Sequence, residues 1–213
     1  MDLSNPIGSV VPSAHGAVLA VLARTSEPLS GRKVAELTDG KVGQWRTNEI
    51  LGQLSDAGIV IREHRPPAKL YRLNRDHVAA PGILALAAMW ATLMQRIRDE
   101  LGTWELPATA ACLFGSAARG EATWDSDIDI LLIRDVDPAS ADADDQRWHD
   151  QVDRLAAHVF AWSGNTCEVL ELSLAELNDA VGRDDRLVRD LRREAIALAG
   201  RDVRMLLRRK TAE

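Results

Sequence analysis

Between Ala14 and Arg24 the apolar residues Val18, Leu19, Val21 and Leu22 recur at helical spacing, and Glu27-Pro28 ends the run. Ser30 is placed to cap a second short helix, with Val34, Ala35 and Leu37 inward, before Asp39-Gly40 turns the chain. A third helix is predicted from Val42 to Asp56. Trp45, Ile50, Leu51 and Leu54 are expected on one face, with Gln44, Arg46, Asn48 and Gln53 on the others, and Gly58 stops it. Beyond Gly58 the period changes to alternation. Ile59–Glu63 and Lys69–Leu73 read as two strands about the turn His64-Arg65-Pro66-Pro67-Ala68.

Pro81 and Gly82 mark a boundary. The positions Leu84, Leu86, Ala87, Trp90, Leu93, Met94, Ile97 and Leu101 then describe one long amphipathic helix over 83–101, which can pack on either neighbour or pair with its copy in a homodimer. Thr109–Phe114 is an apolar strand ending at Gly115-Ser116, and a short helix begins at Ala117. Ser126–Ile133 reads as a second strand, and Asp135 to Asp145 as a polar, acidic loop. A helix is predicted over 145–162 with Val152, Leu155, Ala156, Val159 and Phe160 inward. Thr166–Leu172 is a further strand after the turn Ser163-Gly164-Asn165, and helices are predicted over 174–181 and 186–199, the last extended by 201–209.

Three helices followed by a hairpin make a winged helix-turn-helix. The stretch resembles bacterial winged-helix transcription regulators, most closely in Leu54-Ser55-Asp56-Ala57-Gly58-Ile59-Val60 and in Leu70-Tyr71-Arg72-Leu73-Asn74. Such a unit sets the start of its third helix in the major groove of double-stranded DNA. Gln44, Arg46, Thr47 and Asn48 would reach bases or phosphates there, and Arg62, Arg65 and Lys69 on the wing would meet the backbone. The same fold also serves for dimerisation or as a rigid adaptor, and His15, His64 and His77 are expected at the surface.

Charge and composition sharpen this picture. The net charge of -6 is unevenly spread: residues 1–78 hold 10 Lys/Arg against 8 Asp/Glu, leaving 16 against 24 for the remainder. The N-terminal part is the one suited to a polyanion, the C-terminal part to cations. The longest apolar stretch, Pro81 to Met94, falls short of the roughly 18–20 residues that span a bilayer. A cytoplasmic protein without a membrane partner is expected. Cys112 and Cys167 lie in apolar runs and read as reduced, buried thiols, and no zinc-ligand spacing occurs.

The chemistry concentrates after residue 109. Strand, small-residue turn and helix start present free backbone N–H groups to a phosphate, with Gly115 allowing close approach and Ser116 adding a hydroxyl. In Ser126-Asp127-Ile128-Asp129 the alternation of a strand projects Asp127 and Asp129 from one face, ~7 Å apart. Paired acids at the edge of an aliphatic strand call for a cation. Oxygen ligands with no nearby His or thiolate favour Mg2+ or Mn2+.

Gly115-Ser116, Ala118-Arg119-Gly120 and Asp127-x-Asp129 together resemble the signature of the polymerase-beta-like nucleotidyltransferases, above all the minimal bacterial ones, over residues 105–180. The resemblance implies a nucleoside triphosphate, ATP in the first instance, with its phosphates on Gly115-Ser116, and two divalent ions held by Asp127 and Asp129. It gives Arg119 either a phosphate or a role bracing the turn. It also implies a third carboxylate from a later strand, usually aspartate. Glu168 fits that position, Glu171 rivals it, and Asp125 is read as solvated. The resemblance implies an acceptor hydroxyl, on an unidentified protein, RNA or small molecule.

The expected fold is therefore α+β: a winged helix-turn-helix (residues 1–80), a connecting helix (81–103), and a small nucleotidyltransferase domain with a mixed β-sheet flanked by helices (104–213). Three other readings stand beside a transferase: a DNA-binding regulator that senses nucleotide without turnover, an antitoxin-type modifier of a toxin, and an aminoglycoside nucleotidyltransferase. The arginines Arg189, Arg192, Arg193, Arg204, Arg208 and Arg209 are read as a solvated helix surface.

Overall fold

In the computed structural model residues 1–66, 68–135 and 141–208 are described, with side chains from 144 onward in the last segment. The chain divides into two compact units, Asn5–Trp90 and Met1–Ser4 with Ala91–Glu213.

The first unit contains α1 (Pro6–Val10), α2 (Ala14–Ala23), β1 (Leu29–Ser30), α3 (Gly31–Leu37), α4 (Gln44–Asp56), β2 (Val60–Arg65), β3 (Ala68–Leu73) and α5 (Ala80–Ala87). Ser13 caps α2 and Ser30 caps α3, each side-chain oxygen accepting a first-turn N–H. The three strands form an antiparallel sheet in the order β1-β3-β2. Val18, Leu22, Val34, Ile50, Leu51 and Leu73 build the core between helices and sheet.

Several expectations change here. Trp45, expected inward on α4, is 77% exposed. The buried positions of that helix are Thr47, Ile50, Leu51 and Leu54. At about 100° per residue, Trp45 lies roughly 200° from Thr47. Thr47 is therefore core rather than groove-facing, which removes it from the DNA-contact set. The hairpin is tighter than expected, because His64 and Arg65 pair with Lys69 and Ala68 inside the ladder. Pro67 of the expected turn lies outside the described residues. His77 is half-buried, and its Nδ1 accepts the Ala79 N–H at 3.1 Å at the start of α5.

The second unit contains α6 (Met89–Gly102) from Ala91 onward, β4 (Ala110–Phe114), α7 (Gly115–Ala118), β5 (Ile128–Arg134), α8 (Ala141–Ser163), β6 (Cys167–Ser173), α9 (Leu174–Arg183), α10 (Arg186–Glu194), β7 (Ile196–Gly200) and α11 (Val203–Leu206). The run expected as one long helix is two, α5 and α6, separated at Ala88. Among the described residues no single helix is long and apolar enough to cross a membrane.

The sheet is mixed, in the order β6-β5-β4-β7: β4 pairs antiparallel with both β5 and β7, and β5 runs parallel to β6. Ile128, Ile130, Leu131, Leu132 and Ile133 are all 0% exposed, as a central strand covered on both faces requires. One face packs on a cluster that includes Leu177, Val181, Val188 and Leu191 from α9 and α10. Phe160, expected inward on α8, is 58% exposed, one step round the helix from the buried row Trp148, Val152, Leu155 and Val159. The helix expected over 186–199 ends at Glu194, and the chain continues as β7. Residues 136–140 of the acidic loop and Arg209 lie outside the described residues.

Candidate active site

The site forms where β4 ends and β5 begins. Phe114 pairs with Asp129 across the antiparallel ladder, and Asp129 pairs with Glu168 across the parallel one. The register thus lines up the bend after β4, the first acid-bearing turn of β5 and the start of β6. Asp127, expected inside the strand, lies just ahead of β5, two residues before Asp129, and its charge acts on the Asp129 carboxyl.

Gly115 turns the chain at φ +71°, and a Cβ at that position would lie 2.1 Å from Asp129 Oδ2. The Asp129 carboxylate therefore rests directly on the glycine backbone, a contact only glycine permits. Burial pushes the Asp129 carboxyl above its usual range, and the charges of Glu168 and Asp127 push it further, against a smaller opposing pull from Arg119. Carboxylates that repel one another in this way form a hard, anionic donor set suited to a divalent cation.

Among the described residues no three His, Cys, Asp or Glu side chains are placed to hold a metal ion by themselves. Magnesium sites characteristically use one or two carboxylates and are completed by water and substrate phosphates. The donor set fits that kind of site. Glu168 is exposed at the rim beside Asp129, whereas Glu171, an odd number of residues along β6, faces the other way and accepts from Trp148 Nε1. Asp125 is exposed and accepts from the Thr123 hydroxyl.

The bend itself differs from an open phosphate cradle. The Gly115 N–H donates to Glu194 Oε1 at 3.0 Å, so it is not among the free donors. Ser116 is half-buried, and its hydroxyl takes no part in the hydrogen bonds that hold the bend. Arg119 braces the turn: Nη1 donates to both oxygens of Glu194 at 2.9 and 3.0 Å, and Nε donates to Glu121 at 2.7 Å. These carboxylates, Glu121 first, raise the Arg119 pKa.

Glu194 is thus a site residue absent from the sequence expectations. At the end of an arginine-rich helix it carries no local signal, and only the fold returns it to Gly115, 79 positions earlier. Asn165, which reads as an ordinary turn residue, is 2% exposed and donates to carbonyls of the loop before Asp127. Burial pushes both cysteine thiols up to about 12, with Asp202 adding to the effect at Cys112 and Asp129 at Cys167.

Residues 94–192 match the family model of the nucleotidyltransferase domain. No curated protein matches the chain. The nucleotidyltransferase match begins within α6 and ends within α10, so it takes in the bend, Asp127, Asp129 and Glu168, while Glu194 falls just beyond it. Nucleotidyltransferase domains in general use a nucleoside triphosphate and a divalent metal, in keeping with the donor set found here.

In the first unit Gln44, Arg46 and Asn48 are exposed at the start of α4, with Arg46 Nη1 paired to Glu49 at 2.7 Å. The cations of the β2–β3 hairpin divide by strand parity. Arg62 and Lys69 share one face of the hairpin, while Arg65 lies on the other, joined with Arg72 to Glu63.

Proposed function

We propose that this protein transfers a nucleoside monophosphate from a nucleoside triphosphate to an acceptor hydroxyl. The carrying observation is that Asp129 rests on the Gly115 backbone while flanked by Asp127 and Glu168. Asp127, Asp129 and Glu168 would hold Mg2+ or Mn2+. When bound, such a cation would neutralise charge on the triphosphate and the leaving pyrophosphate and would acidify the acceptor hydroxyl. Ser116 offers its hydroxyl to a phosphate oxygen. Arg119 and Glu194 fix the bend, so its shape is set before substrate arrives. ATP is the triphosphate we favour.

The unit Asn5–Trp90 has the order of a winged helix-turn-helix: α2, α3 and α4 followed by the β2–β3 hairpin. Gln44, Arg46 and Asn48, with Arg62 and Lys69 on the wing, would contact double-stranded DNA or recruit the acceptor.

Incubation with each α-labelled triphosphate, magnesium and cell lysate should release pyrophosphate and label one class of macromolecule. Asp127→Asn should abolish both while the circular dichroism spectrum stays unchanged, and equal labelling by that variant would refute the assignment. A second reading, nucleotide sensing without turnover, is favoured by the exposure of Glu168 and its place where the family usually carries aspartate. Triphosphate binding with no pyrophosphate released from any donor would select it.

A further inference from the structure

Asp127 precedes its strand, so nothing in the β5 ladder itself fixes its carboxylate. The loop that delivers it is held from beneath by one buried side chain. Asn165 Nδ2 donates to the carbonyl of Ser126, the residue immediately before Asp127, at 2.9 Å, and also faces the carbonyls of Thr123 at 3.2 Å and Trp124 at 3.5 Å. Its Oδ1 accepts from the Met1 amino group at 2.8 Å, and its own N–H donates to Ser163 Oγ at 3.0 Å. On the far side of Asp127, the Ile128 N–H donates to the Thr166 carbonyl at 2.8 Å.

Both anchors of Asp127 therefore come from two consecutive residues, Asn165 and Thr166. These are the residues that lead into β6 and so to Glu168. The parallel register spaces Asp129 from Glu168, and this lock sets the residues on either side of Asp127 against the segment that leads to Glu168.

We infer that Asn165 is a positioning residue that sets Asp127 relative to Asp129 and Glu168, and thereby the magnesium concentration at which the site takes up a triphosphate. The inference rests on the carboxylate roles proposed above. An aspartate at 165 keeps size and shape but replaces the donor with an oxygen facing three carbonyl oxygens, so the Ser126–Asp127 peptide must move. Misplacement by about 1 Å is enough to cost roughly 10²-fold in a preorganised site.

The experiment is a calorimetric titration of ATP into the full-length chain at stepped magnesium concentrations, with pyrophosphate release recorded in parallel. Wild type, Asn165→Asp and Ile97→Ala are compared, the last a core change on α6 that lowers melting temperature without touching the acids. For Asn165→Asp the half-saturating magnesium concentration should rise about ten-fold or more, and turnover should fall at least as far. For Ile97→Ala at a matched loss of melting temperature, both should stay within about two-fold of wild type.

An Asn165→Asp protein with the wild-type magnesium requirement, or one shifted no further than Ile97→Ala, overturns the inference alone. A wild type that takes up neither magnesium nor ATP overturns the carboxylate assignment, and the inference falls with it. Should Asn165→Asp not fold, Asn165→Ser, whose hydroxyl is too short to reach the Ser126 carbonyl, is read by the same titration and the same criteria.

Discussion

Gly115 carries two demands that no other residue meets together: a left-handed backbone and a face bare enough for the Asp129 carboxylate. For Gly115→Ala the backbone alone costs about 1–2 kcal/mol, and the added methyl must also displace Asp129. We expect a folded variant with a lower melting temperature and triphosphate binding weakened by roughly ten-fold, about 1.4 kcal/mol, measured by calorimetry. The need for glycine was legible in the sequence, because the strand breaks into a small-residue turn there. Its occupant was not. The sequence directs attention to a phosphate above the bend, whereas the structure also fills the space behind it with Asp129 and turns the Gly115 N–H to Glu194.

Among the elements, the corner between α10 and β7 is fastened to α7 by Glu194. Burial pushes that carboxyl up, but hydrogen bonds from Arg119, Arg193 and the Gly115 N–H outweigh it and hold the group below its ordinary range. The folded value therefore lies below the unfolded one of about 4.3. The resulting stability is present above pH ~4.3 and is lost as pH falls through the depressed folded value. Glu194→Gln should cost about 1–3 kcal/mol at pH 7, and its deficit against wild type should shrink below pH ~4 in urea melts.

The same corner shows why β7 escaped detection. Val188, Leu191, Ala195 and Leu198 keep helical spacing straight through the helix end. The decision for a strand came from the open edge of β4, whose N–H and C=O groups find their partners in residues 196–200. The division of the run after Pro81 into α5 and α6 was hidden in the same way, since apolar spacing persists across Ala88.

At the scale of the whole molecule, Asp127, Asp129, Glu168 and Glu194 gather at one end of the sheet, with Arg119 and Arg193 as cations bound to Glu194. Mutual repulsion leaves the metal-free protein carrying an electrostatic load that cations relieve. Magnesium with ATP should therefore raise the melting temperature. At a hundred-fold excess over Kd the gain is about 2.7 kcal/mol, a rise of several degrees by scanning calorimetry, and ATP with EDTA in place of magnesium should give little of it.

The sequence by itself determined most helices and the strands β2 to β6, the glycine-serine bend and the Asp127/Asp129 pair, because each is written in the spacing of neighbouring residues. The tertiary structure alone decided which later side chains reach that bend. Parallel pairing of β5 with β6 brings Glu168 to Asp129 and turns Glu171 toward Trp148, while the return of α10 delivers Glu194 to Gly115 and Arg119. Register and long-range return are set by burial of the whole sheet, and no local pattern of residues encodes them.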